Sequence, residues 1–534
     1  MKTMKKLSSF LITILAIFLS LQHSTSSYSS FDNFLTCLQN HIPQSSSVIF
    51  TPTNPSFSSL LLNHTANRRY TTPTTPKPLA IITPQNPSHV QVAIICAKPY
   101  GIQIRIRSGG HDYEGVSYVS QVPFVVLDMF IFRSIEIDIA NETAWVGAGA
   151  TLGELYYSIA NKSDVYAFPG GVCHTLGTGG HISGGGYGNL MRKYGLSVDN
   201  VIDANLVDVN GKILDRKSMG EDLFWAIRGG GAASFGVVLS WKIKLVPVPP
   251  KVTVFNVKKS LEQGATDVVY KWQSVANQLH EDLFIRVMPM VVNGTQEGTK
   301  TVLVSFIGQF LGQIDRLLPL VNESFPELGL QKSDCIEMPW VNSTLFWVFG
   351  PNQNPIEVLL TKLKPPTLFF KSRSDYVKEP IPKSGIESIW KLMIEGGDNV
   401  WMQWNPYGGK MHEISPSETP FPHRAGNLFL IQYYASWVKE DIDVGHHYME
   451  FSKKFYAFMA QYVSKFPREA FLNYRDIDIG ANPSGVTNMM VAKIYGSKYF
   501  KENFERLVKV KTMVDPDNFF KHEQSIPPSR HRLF

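Results

Sequence analysis

GGVCHTLGTGGHISGGGYG, residues Gly170 to Gly188, sets one cysteine and two histidines in a stretch where nine of nineteen residues are glycine. That much glycine lets a backbone approach a ligand where any Cβ would collide, here beside side chains able to form bonds. A second such segment precedes it, IRIRSGGHDYEGVSY, Ile104 to Tyr118. There a strand of alternating Ile and Arg runs into Ser108-Gly109-Gly110, whose successive N–H groups can turn toward one point and hold an anion such as phosphate. One such cluster reads most simply as a tight turn between short strands. Two, each with histidine embedded, suggest a pyrophosphate.

Two other ligands fit parts of the pattern. WVGAGATLGEL, Trp145 to Leu155, follows a strand and opens a helix. Its spacing is G-x-G-x-x-x-G, and no acidic strand end follows where a nicotinamide-type dinucleotide fold needs one. Cys173, His174 and His181 are ligand types for zinc, but neighbouring Cys and His seldom point at one ion and a fourth ligand is not evident. No metal site is expected.

The N-terminus carries lysines at 2, 5 and 6, then an apolar run from Phe10 to Leu21, then small polar residues. This is the order of a secretory signal, expected over residues 1–27, and the run is too short to span a bilayer. The formal charge of +6 includes those three lysines, so the exported chain is only mildly basic and has no clustered cationic face for nucleic acid. Export makes the sequons at Asn63, Asn141, Asn161, Asn293, Asn322 and Asn342 candidate glycosylation sites. It also allows disulfides: Cys37, Cys96, Cys173 and Cys335 admit three connectivities. Cys37 lies in FDNFLTCLQNHI and Cys96 in VQVAIICAKPYG, both helical patterns near the N-terminus. We favour that pair, leaving Cys173 and Cys335 joined or separately employed.

A mature length near 500 residues exceeds one hydrophobic core. TPTTPKP and VPVPP, at residues 72–78 and 246–250, punctuate the chain. Short strands, a VNGK hairpin and intervening helices occupy the region between them; longer strands and amphipathic helices follow. The expected class is α+β.

The motifs RSGGHDYEG (107–115), GGVCHTLGTGGHISGGGYGNLMRKYGLSVDNV (170–201), DLFWAIRGGGAASFGVV (222–238), PYGGKMHEI (406–414), PFPHRAGN (420–427), NYRDIDIG (473–480) and VKVKTMVDPDNFF (508–520) occur in order over the mature chain. With them the chain resembles the berberine bridge enzyme-like flavoproteins, of the vanillyl-alcohol-oxidase or PCMH type of FAD-binding fold. The resemblance implies a two-part FAD domain, with a helical segment over 28–76 and the main body over 77–250. It implies a substrate domain over 251–475, an antiparallel sheet covered by helices, and a segment over 476–534 that returns to the FAD domain. It implies FAD joined covalently to His111 and Cys173. The implied cofactor contacts are Arg107, Ser108, Gly109, Gly110, Gly171, Thr178, Gly179, His181, Gly186, Val201, Tyr474 and Asn518.

The same resemblance makes Tyr474 a candidate base, with Tyr113, Tyr187 and Gln432 beside it. A tyrosine with a reference pKa near ~10 needs a nearby cation or donor for that work, and Arg475 is one candidate helper. Two positions depart from relatives: Leu430 stands where several have an ionisable residue, and Asn405 where cannabinoid-cyclising members have tyrosine. In relatives the residue at the position of Leu176 lines the space where dioxygen meets flavin, so the resemblance implies that leucine there hinders oxygen and favours another electron acceptor. The implied activity is hydride removal from a small phenolic, alkaloid, isoprenoid-phenol or sugar-like molecule. The alternatives are an FAD-retaining cyclase joining plant phenolics without redox change, and a wall-binding protein with vestigial flavin. The expected setting is a monomer outside the cell, in the wall or in the vacuole, with a small-molecule substrate, no nucleic acid and no membrane span.

Overall fold

The computed structural model describes residues 29–529 apart from 353 and 363. The signal expected over 1–27 lies outside the described residues. Four strands open the fold: β1 (Ile49–Phe50), β2 (Ile81–Ile82), β3 (Gln103–Arg107) and β4 (Phe124–Asp128), in the order β1-β2-β4-β3. β4 is parallel to both neighbours and buried along its whole length. Its alternate residues therefore enter different cores, Val125 and Leu127 on one side, Phe124 and Val126 on the other. The first core is closed by a helix over 29–41 and by the helix Pro87–Ala97, whose start is capped by Asn86 with proline at its first turn. A disulfide joins Cys37 to Cys96 between these helices, while Cys173 and Cys335 are both free thiols.

Next come β5 (Ile135–Asp138), β6 (Thr143–Gly147), β7 (Tyr166–Ala167), β8 (Val201–Val207), β9 (Ile213–Leu214), β10 (Val237–Lys244) and β11 (Val246–Pro247). β7 and β11 pair with each other, and the rest form an antiparallel sheet in the order β5-β6-β10-β8-β9. The VNGK turn joins β8 to β9, with Asp208 accepting the amides of Asn210 and Lys212 and Gly211 at φ 73°. Because β6 is antiparallel to both neighbours, WVGAGATLGEL does not open a nicotinamide-type βαβ unit. Its Gly149 serves packing: a Cβ there would meet the Met129 carbonyl at 1.9 Å.

The third sheet has seven antiparallel strands: β12 (Val252–Ser260), β13 (Leu283–Asn293), β14 (Lys300–Phe310), β15 (Cys335–Met338), β16 (Phe369–Val377), β17 (Val400–Pro406) and β18 (Phe429–Trp437), in the order β15-β12-β14-β13-β17-β18-β16. Leu283, Ile285, Met402, Trp404, Phe429 and Ile431 face helices Ala265–Val275, Lys383–Gly396 and Ile442–Met459. The alternate positions, among them Arg286, Gln403 and Gln432, face the rest of the protein. After that sheet the chain returns to the first core, where Phe520 packs. The Lys511 ammonium bonds Asp515 and the carbonyls of Ser234 and Phe520, and Arg105 pairs with Glu523 at 2.6 Å.

Candidate active site

The two glycine segments touch. A Cβ on Gly109 would sit 2.3 Å from the amide nitrogen of Gly177, and one on Gly177 would sit 2.2 Å from Oγ of Ser108. Side chains larger than hydrogen would push the loops apart, which is the physical reason for glycine in both. Ser108 donates to the Ala148 carbonyl at 2.6 Å, and Asn473 binds both Gly186 N–H and the Gly180 carbonyl. The seam opens into a cavity of about 340 Å³ lined by Ser108, Gly109, Gly110, His111, Gly171, Cys173, Leu176, Gly179, Gly180 and His181 of the glycine segments and by Arg286, Gln403 and Gln432 of the seven-stranded sheet. A Cβ on Gly180 would meet nothing within 4 Å, so the cradle has room for a ligand along it.

Nε2 of His111 lies 2.9 Å from Oγ1 of Thr175, and Sγ of Cys173 lies 3.5 Å from the same oxygen. Burial, reinforced by His174, lowers the His111 pKa to about 4. The imidazole is therefore neutral at physiological pH, with a lone pair free to bond carbon. Burial lowers His181 likewise to about 4, and its Nε2 accepts the Gly171 amide at 3.1 Å. His174 instead turns away to Thr361. Cys173, His174 and His181 thus engage three different partners and do not surround a common point.

Facing this edge, the hydroxyls of Tyr187 and Tyr474 hydrogen-bond each other. The Tyr113 ring stands edge-on to Tyr474 with centroids 5.8 Å apart. Gln432 donates to the Tyr113 hydroxyl at 3.0 Å and to Ser372 at 2.9 Å, and its carbonyl accepts from Gln403 at 3.0 Å. All four candidate side chains line the one cavity. Burial, with Tyr187 and Tyr113 adding to it, raises the Tyr474 pKa well above 10, and Arg286 opposes the shift. Arg475 does not supply that help: it sits 3.9 Å from Asp112 and bonds Gln524.

A buried ionic cluster fixes the relative position of these tyrosines. Lys371 on β16 binds Glu114, next to Tyr113, at 2.5 Å and Asp476, two residues past Tyr474, at 2.6 Å. Arg373 binds Asp476 and Asp478, each at 2.6 Å. Desolvation of Lys371 is outweighed by Glu114 and Asp476, which raise its pKa and keep it charged.

Five expected cofactor contacts do not line the cavity. Arg107 points to the opposite face of β3 from Ile106 and binds Asp128 at 2.6 Å. The Thr178 hydroxyl donates to the Gly147 carbonyl. Gly186, at φ 72°, is packed against Ser197 and His181. Val201 is core, and Asn518 donates to Thr487. Conversely, Arg286, Gln403, Asn473 and His522 line the cavity, and none of them is among the site residues named from the sequence. For Arg286 a signal existed, a lone cation in the apolar strand LFIRVM.

A cradle of this form, with a neutral buried imidazole and a thiol meeting at its end, suits the chemistry of a flavin ring and its pyrophosphate. The family described as "FAD binding domain" matches residues 78–216, and that described as "Berberine and berberine like" matches residues 470–527. Berberine bridge enzyme-like 4 of Arabidopsis thaliana is 54% identical over 524 residues, covering 97% of this chain and 98% of its own. Among solved structures, the grass pollen allergen Phl p 4, described as having glucose dehydrogenase activity, is 44% identical with a TM-score of 0.88, covering 93% of this chain and 99% of its own. A variant of it with isoleucine changed to valine is described as a glucose oxidase. Berberine bridge enzyme itself, in a cysteine-to-alanine variant, is 38% identical with a TM-score of 0.86, covering 93% of this chain and 100% of its own. The chain is an FAD-linked oxidoreductase. It belongs to the berberine bridge enzyme-like family.

Proposed function

We propose that this protein is a secreted oxidoreductase whose FAD is attached through both His111 and Cys173, and that it removes a hydride from a small phenolic, alkaloid, isoprenoid-phenol or sugar-like substrate. The flavin, when bound, supplies the electron-accepting ring. His111, neutral and oriented by Thr175, and Cys173 on the same hydroxyl would hold that ring at one end of the cavity. Tyr474 would receive the substrate proton, with Tyr187 sharing it through their hydroxyl contact. Gln432 and Gln403 offer amide groups to a hydroxylated substrate, which they would orient and hold away from water.

The observation that carries this reading is convergence: His111 and Cys173, which share the Thr175 hydroxyl, the Tyr474–Tyr187 pair and the Gln432–Tyr113 pair all border one cavity. Leu176 lines the same cavity three residues beyond Cys173, and we take the natural electron acceptor to be something other than dioxygen. We further propose the division into a helical segment over 28–76, an FAD domain over 77–250, a substrate domain over 251–475 and a returning segment over 476–534. Export is supported by the Cys37–Cys96 bridge, and we place the monomeric protein outside the cell, in the wall or in the vacuole. Five of the six sequon asparagines are exposed, with Asn342 half-buried, so the exposed five are the proposed glycan sites. Among the described residues no helix is long and apolar enough to cross a membrane.

A second reading, a cyclase that keeps FAD without using its redox cycle, is favoured by one observation: burial holds Tyr474 protonated. Anaerobic mixing with candidate phenolics and sugars separates the two. Bleaching of the flavin with loss of two hydrogens from the substrate supports oxidation. A product with the mass of two joined substrates, formed without bleaching, supports the cyclase.

A further inference from the structure

Six arginines are buried among the described residues. Four have carboxylate partners: Arg105 with Glu523, Arg107 with Asp128, Arg373 with Asp476 and Asp478, and Arg424 with Asp199. Arg192 is surrounded by the backbone carbonyls of Leu279, His280, Leu283 and Tyr407. Arg286 is the exception. Its Nε donates to Oδ1 of Asn405 at 2.6 Å, and it has no other hydrogen bond and no ion-pair partner among the described residues. It is 3% exposed and lines the cavity. The guanidinium rests 5.0 Å from the centroid of Trp347 and 5.8 Å from that of Phe284, so it lies against two aromatic rings while its terminal nitrogens have no acceptor among the described residues.

A buried cation without a counter-charge is costly, and the cost is removed when an anion arrives. The anion has to come from the cavity. Arg286 stands on the seven-stranded sheet with Gln403 and Gln432, whereas the residues that would hold the cofactor stand on the glycine segments, so the missing partner is assigned to whatever occupies the substrate space. We propose that Arg286 is a substrate-recognition residue that takes a carboxylate group, and that the substrate is an alcohol or sugar bearing one. A planar two-oxygen acceptor matches the guanidinium fork. One unit of negative charge neutralises one arginine, whereas a phosphate dianion would leave excess charge beside phenols that burial keeps neutral. Asn405 fixes the fork by occupying Nε, leaving both terminal nitrogens for the ligand.

The proposal rests on the oxidoreductase reading for its substrate class, and the test separates the two. The holoenzyme is mixed anaerobically with two matched pairs, glucose against glucuronate and benzyl alcohol against 4-(hydroxymethyl)benzoate. Flavin bleaching gives the half-saturating concentration. Benzoate, which has no oxidisable alcohol, is titrated separately while the flavin spectrum is followed. The acids are expected to half-saturate at roughly 10- to 100-fold lower concentration than their neutral partners, the range expected of charge-assisted hydrogen bonds. Arg286→Gln should abolish that preference and the benzoate response, and Arg286→Lys should restore part of both. An influence of Arg286 on Tyr474 alone would slow both members of a pair equally and leave their ratio unchanged, which contradicts the proposal. Bleaching by the neutral members only contradicts it too, while leaving the oxidoreductase reading intact. A benzoate response that needs Arg286, without bleaching by any compound, supports the anion site and counts against that reading. No response to benzoate or to either acid overturns the proposal.

Discussion

His111 and Cys173 are brought together by one oxygen: Thr175 Oγ1 lies 2.9 Å from Nε2 of the histidine and 3.5 Å from Sγ of the cysteine. If Nε2 donates its proton to Thr175, the other ring nitrogen carries the lone pair, so the hydroxyl orients His111 for bonding to carbon. Thr175→Val removes that orientation. It should slow covalent flavin attachment by about tenfold, the worth of one hydrogen bond, and Thr175→Ser should restore it. The check is the fraction of flavin that stays with acid-denatured protein as a function of time after adding FAD to apoprotein.

Tyr474 is the proposed proton acceptor, and its surroundings work against the ionised form: burial first, then Tyr187 and Tyr113, with Arg286 opposing. A base held protonated gains ionised fraction with every rise in pH. The anaerobic rate of flavin reduction should therefore climb through the whole neutral and mildly alkaline range without a plateau. Tyr474→Phe should lower it by ~10²-fold or more. Reduction of the variant at the wild-type rate would remove Tyr474 from the role.

Leu176 lines the cavity beside Cys173. Leu176→Val removes one methylene and opens space for dioxygen. Reoxidation of the reduced protein by air should quicken by about tenfold or more, with the anaerobic reductive step little changed. Stopped-flow traces of the two half-reactions, recorded separately, distinguish oxygen access from altered substrate binding. Unchanged reoxidation would mean that Leu176 does not control access.

Acid should destabilise this fold in two windows. Burial lowers His181 to about 4 from 6.5, and in flavin-free protein, where His111 is a free imidazole, burial with His174 adding to it lowers His111 likewise to about 4. Across that interval the unfolded chain takes up protons that the folded chain refuses, so stability falls as pH drops. For Glu469, burial alone would raise the pKa, but His423, Lys378 and Lys501 outweigh it and leave it at about 2, against 4.5. Its contribution is present above 4.5 and is lost as pH falls toward 2. The apparent Tm should decline steadily between about pH 7 and about pH 3. A Tm flat across that range would show that these groups titrate alike in both states.

Much of the site was legible because its chemistry sits in local sequence. His111 and Cys173 stand out as reactive groups inside glycine, and Asn210-Gly211 announces its own hairpin. Arg107 misleads because adjacency to Ser108 says nothing of strand parity, and on β3 it faces away from the cavity, toward Asp128. Arg286 is hidden for a different reason. Its only side-chain hydrogen-bond partner among the described residues, Asn405, lies 119 residues further along the chain, so its isolation depends on which strands the seven-stranded sheet brings together. The Glu114–Lys371–Asp476 cluster spans three distant segments in the same way, and no local pattern records it.

The central claim is a flavin tethered at both His111 and Cys173, and acid denaturation tests it most directly. Purified protein, His111→Ala, Cys173→Ala and the double variant are each precipitated in acid, and flavin absorbance is measured in pellet and supernatant. The account predicts that the wild type and both single variants keep flavin in the pellet, while the double variant releases any it holds. Wild-type protein that surrenders its flavin to the supernatant would contradict it.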